Sequence, residues 1–430
     1  MDNAGARTSA DLEIQDRRSG RSYPIELIDG ALPAAELRVI KQNPDDFGLL
    51  SYDPSFGSTV ACRSKITFVD GERGVLEYRG YPIQQLAENC SFLEVAYLLA
   101  EGTAPTAAQL RDWQAELAQA APPRHELLNL IAALPTSAHP MSTLTAAVAA
   151  MGAVYSDARQ ISTPAERRVH AIRLIAQVPG LAAAAFRRHQ GLPVLDAGGN
   201  LDYTARFLEL LFEPGRVQQS EIVRRALDVL FILHADHEQN CSTSVVRAVS
   251  SAGSDPYAVV SAGVAALSGP LHGGANEQVL EMLREIQAGQ DLEAFLAQVR
   301  SGRRRLMGFG HRVYKTYDPR ARIIQQVAGQ VFEVLGKNPL IDLATQLEQA
   351  ALADDYFVQR RLYPNVDFYS GLIYEAMGLP AEMFPVLFAV ARTTGWVAHW
   401  MEAEADPERR IARPRQIYTG PHELQYQSPS

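Results

Sequence analysis

The stretch from about Ser220 to His237 carries apolar residues on nearly every helical face: Ile222, Ala226, Leu227, Val229, Leu230, Ile232 and Leu233. A helix with no polar side must be enclosed by other elements. This one demands a large helical body, and the sequence supplies it. Ser91 with Glu94, Thr106 with Gln109, and Thr163-Pro164 with Glu166 have capping-box spacing ahead of long apolar-periodic runs. Alanine-rich runs at Leu144–Gly152 and Leu181–Phe186 favour helix and close packing. Pro179-Gly180 should break or kink its helix. Asp255-Pro256 opens a further helix that ends near Ser268, and Pro380 begins a last long one through Trp400.

Strand signals are confined to the N-terminal part. Ser64–Val69 alternates, Asp70-Gly71 and Gly74 punctuate, and Val75–Tyr78 follows, which reads as a hairpin. The expected organisation is a disordered leader over 1–20, a β-rich segment over 21–81, a large helical domain over 82–275 and 381–430, and a smaller helical lid domain over 276–380. The lid boundary rests on shorter helices and denser glycine punctuation. The fold class is therefore mainly α, with a short N-terminal β-rich segment.

A formal charge of −9 argues against a nucleic-acid partner, which would need a basic face. Any anionic substrate must then be drawn in by local arginines. Cys62, Cys90 and Cys241 are odd in number, far apart and form no CxxC pair. No stretch approaches the ~18 apolar residues of a membrane span. The acidic N-terminus (Asp2, Asp11, Glu13, Asp16) suits neither a secretory signal nor a transit peptide, so the expected compartment is cytoplasmic.

Four stretches carry chemistry. In Met307–Arg320, His311 follows closely spaced glycines, and Asp318-Pro319 reads as the N-cap and first residue of a helix, with Arg320 in its first turn. A proton carrier and an anion clamp thus lie nine residues apart on one loop-to-helix joint. In Leu233–Asn240, His234 and His237 share one face; with Asp236 and Glu238 they could ligate a metal, though the spacing is not HExxH. A histidine at a helix C-terminus favours its charged form, which suits anion binding. In Gly269–Glu277, His272 again sits among glycines just before a helix. In Tyr363–Gly371, Asp367 lies among apolar residues near a helix start, where it is either a helix-end acid or a base strengthened by an apolar wall. Arg392, in the otherwise apolar run Phe388–Thr393, must meet an acid, a ligand carboxylate or a subunit interface.

Together the runs LHADHEQNCSTS (233–244), GPLHGGANE (269–277), MGFGHRVYKTYDPRA (307–321), YPNVDFYSG (363–371), FAVARTTGWVAHW (388–400) and RIARPRQIYTG (410–420) resemble the citrate synthase family. The likeness extends from SKITFVDG (64–71) and RGYPIQQLAE (79–88) to near the C-terminus, and the leading β segment resembles the bacterial type.

The resemblance implies an acyltransferase that condenses acetyl-CoA with oxaloacetate and water to give citrate and CoA, with acetyl-CoA as cosubstrate and no permanently bound cofactor or metal. It implies Asp367 as the base on the acetyl methyl, His272 as the group stabilising the enol or enolate, and His311 as the group polarising the keto carbonyl. It implies His237, Arg320 and Arg392 as carboxylate holders, with Arg413 reaching in from the partner of a homodimer, itself part of a possible hexamer. Arg305 and Arg361 are candidates for the CoA phosphates. The same chemistry on propionyl-CoA, 2-methylcitrate synthesis, is the alternative; a non-catalytic scaffold and a His234/His237 metal hydrolase are the other readings. NADH-inhibited members carry a basic cluster in the region matching 155–177; Tyr155 and Arg173 fit it, but Gln177 stands where a lysine is expected.

Overall fold

The computed structural model describes residues 11–195, 202–213, 215–216, 220–289 and 291–428. It is mainly helical, and among the described residues the strands all fall between residues 12 and 82. The chain divides into two compact units at Ser64/Lys65.

In the first unit β1 (Leu12–Asp16) pairs antiparallel with β2 (Arg21–Ile25), with Leu12 opposite Ile25 and Asp16 opposite Arg21. Asp16 closes the turn by accepting hydrogen bonds from the Arg18 backbone and guanidinium and from the Ser19 hydroxyl. Of the leader expected over 1–20, residues 1–10 lie outside the described residues, and the remainder enters a strand at Leu12. Its polar composition conceals this because the determinant is one carboxylate-centred turn, not a hydrophobic pattern.

In the second unit β3 (Thr67–Asp70), β4 (Val75–Tyr78) and β5 (Tyr81–Pro82) form an antiparallel sheet, with the turn where Asp70-Gly71 predicts it. This hairpin belongs with the helices and not with residues 21–64, so the β-rich segment expected over 21–81 is two separate pieces. The reason is in its contacts. Tyr78 is fully buried and its hydroxyl donates to the Asp236 carbonyl (2.8 Å), while the Thr67 hydroxyl donates to Asp236 Oδ2 (2.6 Å).

The three capping boxes form as read, at Ser91/Glu94, Thr106/Gln109 and Thr163/Glu166. Pro179, however, does not break its helix, which runs unbroken over Pro164–His189. A proline inside a helix strands the carbonyl four residues back, here that of Ile175, and the Tyr203 hydroxyl donates to it at 3.1 Å. By length and composition this helix could cross a bilayer, which corrects the reading that no stretch qualifies; yet 89% of its apolar window is buried inside the protein, as in a core helix.

The helix read as apolar on nearly every face is Glu221–His234, capped by Ser220 and ending three residues short of His237. Its first turns carry polar or exposed residues (Glu221, Ile222, Arg224, Arg225), and it is fully enclosed only from Ala226 onward. It packs against the helices Phe92–Glu101, Tyr203–Leu211, Pro319–Leu335 and Phe384–Ala405. The last of these comes close enough that a Cβ on Gly395 would lie 2.3 Å from the Ala235 carbonyl oxygen. That approach draws the buried Arg392 to the end of the helix that leads into His237.

Candidate active site

The loop carrying His311 and the helix carrying Asp367 are stitched together by backbone. Gly310 N–H donates to the Tyr363 carbonyl (2.8 Å), Asn365 N–H to the Gly308 carbonyl (2.9 Å), and Asn365 Nδ2 to the Gly310 carbonyl (2.9 Å). Gly308 and Gly310 both have positive φ (76° and 77°), and a Cβ on Gly308 would lie 2.9 Å from the Phe368 ring. Glycine is therefore required for this loop to lie against the helix.

Asp367 sits in the first turn of Val366–Ala376, behind the N-cap Asn365. Its Oδ1 is buried with no hydrogen-bond partner among the described residues, and burial pushes the carboxyl up to about 7, with Arg320 and Arg392 pulling the other way. A carboxylate left unsatisfied in this way is a strong base near neutral pH.

His311 faces His237 and Tyr314, with ring centroids 5.2 Å and 4.8 Å away. Its Nδ1 accepts from the Val313 and Tyr314 backbone N–H groups (3.0 and 3.2 Å), which places the proton of the neutral ring on Nε2. Burial, aided by the Arg320 charge, lowers this imidazole to about 4. Burial and the Arg320 charge also hold His237 well below its usual range, against the charged form expected from its place after a helix C-terminus. Desolvation here outweighs the helix-end field.

Arg320 is buried in the first turn of Pro319–Leu335, where Asp318 caps the helix as read from sequence. Asp318 grips the guanidinium through two bonds (Nε–Oδ1 3.0 Å, Nη2–Oδ2 2.8 Å). Burial opposes the Asp318 charge, but Arg320 more than compensates and holds that carboxyl below its ordinary value. Arg392 has no such partner among the described residues. Its Nε donates to the His234 carbonyl (2.8 Å), its Nη1 is buried without a partner, and burial lowers it to about 10. An unpaired buried cation of this kind is a ready seat for a carboxylate.

His272 is anchored through Nε2, which lies 3.0 Å from Ser242 Oγ and accepts from Ser242 N–H at 3.3 Å. Ser242 is itself held by Trp396 Nε1 (3.1 Å) and Asn240 Oδ1 (2.8 Å). Burial, then the Arg392 charge, lowers His272 to about 4. The Phe388 ring joins the two sides: its centroid lies 6.3 Å from the His272 ring and 4.8 Å from the Arg392 guanidinium carbon.

Hydrogen bonds, ring contacts and charge effects thus link His237, His272, His311, Arg320, Asp367 and Arg392, whereas Arg413 lies on the exposed C-terminal tail. Arg305 is exposed, and Arg361 is exposed and paired with Glu72 (2.9 Å). His234 and His237 point into separate bonds, His234 Nδ1 to the Leu230 carbonyl (2.7 Å) and His237 Nε2 to Tyr314 (3.1 Å), which is not a shared ligand set. Arg173 is engaged by Asp157 (3.0 Å), and Gln177 by Tyr155 and the Ala120 carbonyl, so these groups serve internal pairs. Sequence reasoning missed Ser242, Asn365 and Tyr314. Each lies inside a quoted motif, but only the fold shows what it holds.

A mainly helical body enclosing a raised-pKa carboxylate, neutral imidazoles and an unpaired arginine defines an acid–base enzyme for an anionic substrate. Residues 55–415 match the family model described as citrate synthase, C-terminal domain. The chain is 45% identical to a citrate synthase of Dictyostelium discoideum over 96% of this chain and 83% of the relative. It is 46% identical to that organism's peroxisomal citrate synthase (95% and 85%), and 45% identical to a glyoxysomal one of Cucurbita maxima (95% and 81%). Among solved structures it is similar to the citrate synthase of Pyrobaculum aerophilum, with TM-score 0.79 and 38% identity over 86% of this chain and 93% of that one. It also resembles that of the thermophilic archaeon Thermoplasma acidophilum, in a ternary complex with carboxymethyl coenzyme A and oxaloacetate (TM-score 0.80, 31% identity, 88% and 99%). The chain belongs to the citrate synthase family, and it is a transferase. The peroxisomal and glyoxysomal relatives overturn the cytoplasmic expectation, since charge, cysteine count and N-terminal composition do not fix the compartment.

Proposed function

We propose that this protein makes citrate from acetyl-CoA, oxaloacetate and water at the entry to the tricarboxylic acid cycle. The observation that carries the reading is Asp367, a raised-pKa carboxylate with an unsatisfied oxygen, bound by backbone to the loop of a neutral histidine. A thioester α-proton is a very weak acid, so its removal needs a base and oxyanion stabilisation acting together. Asp367 takes the methyl proton. His272, with Nε2 accepting from Ser242 N–H, carries its proton on Nδ1 and donates it in a hydrogen bond to the thioester oxygen. His311 donates from Nε2 to the keto carbonyl of oxaloacetate as the new carbon–carbon bond forms. Arg320, Arg392 and His237 hold the carboxylates, and hydrolysis of the citryl thioester releases CoA.

Residues 276–380 act as a lid over a larger helical body, so that the site is completed on oxaloacetate binding and water is kept from the enolate. Arg305 and Arg361 are the candidate contacts for CoA phosphates, and Arg361 would have to exchange its Glu72 partner. The working unit is at least a homodimer, with Arg413 supplied across the interface. Mixing subunits bearing Arg413→Ala with subunits bearing Asp367→Ala is expected to recover part of the activity absent from either alone. No recovery would argue against a site shared between chains.

Steady-state kinetics with acetyl-CoA and propionyl-CoA test the substrate assignment. One methylene changes binding by only ~1–3 kcal/mol, so kcat/KM is expected to favour acetyl-CoA by about tenfold or more within that range. A higher kcat/KM for propionyl-CoA would sink the assignment in favour of 2-methylcitrate synthesis.

A further inference from the structure

Tyr314 is 1% exposed, and no candidate role falls to it in the sequence. Yet it touches both histidines of the oxaloacetate side. Its hydroxyl lies 3.1 Å from His237 Nε2, its ring centroid is 5.5 Å from that of His237 and 4.8 Å from that of His311, and its backbone N–H reaches His311 Nδ1 at 3.2 Å. The Arg320 guanidinium carbon sits 5.9 Å from the same ring. The next residue fixes the segment from behind, since Lys315 N–H donates to the Gly71 carbonyl (2.8 Å) in the β3–β4 turn.

The direction of the Tyr314–His237 bond follows from counting donors. A phenol has one proton. Were His237 Nε2–H the donor, the phenol proton would be buried without an acceptor among the described residues, at the cost of an unmade hydrogen bond, whereas a proton on Nδ1 has the carbonyl of His237 itself to receive it. The hydroxyl is therefore the donor, Nε2 the acceptor, and the proton of His237 sits on Nδ1. At His311 the amide of Tyr314 does the reverse, occupying Nδ1 and leaving the proton on Nε2.

We propose that Tyr314 is the positioning residue of the keto-diacid site, its hydroxyl fixing the tautomer and ring plane of His237 while its amide, together with that of Val313, fixes those of His311. The inference rests on the functional reading above and deepens it. Substrate recognition by two imidazoles requires each to present a defined nitrogen, and a ring free to flip would present the wrong one half the time. The aromatic ring alone can fill the space, but only the hydroxyl can set the tautomer. The effect is specific to the keto-diacid, because His272 and Asp367 are held by Ser242 and Asn365.

Tyr314→Phe in the full-length protein keeps the ring and removes only the hydroxyl. The KM for oxaloacetate is expected to rise about tenfold, with the KM for acetyl-CoA within twofold of wild type and the melting temperature lowered by no more than a few degrees, the cost of one lost buried hydrogen bond. An unchanged oxaloacetate KM, or an equal rise in both KM values, overturns the inference. A second measurement needs no variant: histidine-selective nitrogen NMR of the wild-type protein should show neutral His237 protonated at Nδ1 and neutral His311 protonated at Nε2. The same tautomer at both, or a mixture at His237, overturns it equally. If wild-type protein neither bound nor turned over oxaloacetate, the functional reading would fall, while the NMR result would still decide what Tyr314 does to the two rings.

Discussion

Replacing Asp367 by alanine is expected to lower the condensation rate by about 10³-fold or more, near the upper part of the range for a lost proton-transfer group. Oxaloacetate binding should survive, because the carboxylate holders sit on other elements: Arg320 on Pro319–Leu335 and Arg392 on Phe384–Ala405. Near-normal turnover in the variant would refute the base assignment. The pH dependence carries a second signature. The carboxyl stands at about 7 when folded, raised by burial, against about 3.9 in an unfolded chain. The folded state therefore binds more protons between roughly pH 4 and 7, and stability falls as pH rises through that window. Asp367→Asn removes the slope, so the variant should be more stable than wild type at pH 8 and lose that advantage progressively as pH falls towards 4. Activity runs the other way: only the ionised base works, so kcat/KM should climb through about pH 7.

Arg392→Leu is the second large effect. Oxaloacetate affinity is expected to fall by on the order of 10²–10³, the range for losing one partner of a buried charge pair. Stability should change little, because relief of a desolvated cation with an unpartnered Nη1 is set against loss of its Nε bond to the buried His234 carbonyl. Isothermal titration with oxaloacetate and thermal unfolding separate these outcomes; retained affinity would remove Arg392 from the site. The same variant should raise the pH at which activity rises, since Arg392 is one of the charges holding the Asp367 carboxyl down. Arg320 would respond differently. Its removal orphans the buried Asp318 as well as emptying a carboxylate seat, so the fold would suffer with the binding.

Local rules made much of this legible in the sequence. Asp318-Pro319 declared the helix that positions Arg320, and the three capping boxes placed their helices, because each signal is satisfied within four residues. What escaped depended on distant partners. The continuity of Pro164–His189 past Pro179 rests on a hydroxyl from Tyr203, outside that helix. The β3–β4 hairpin joins the helical unit through Thr67 and Tyr78 meeting Asp236 well over a hundred residues on. The charge state of His237 is set by enclosure and by Arg320, neither of which its neighbours in sequence reveal. Asn365 is the N-cap of its helix and Ser242 lies in the first turn of Cys241–Ser250, but nothing local marks them as the residues that hold the Asp367 and His272 segments in place.

The most direct measurement is solvent exchange at the acyl methyl group. Acetyl-CoA deuterated at the methyl, incubated with the protein and an unreactive dicarboxylate analogue of oxaloacetate, should lose deuterium to water without forming product. Loss should fall to background in Asp367→Asn and drop sharply when His272 is replaced by alanine. Methyl exchange that persists at the wild-type rate without the carboxylate at position 367 would contradict the account.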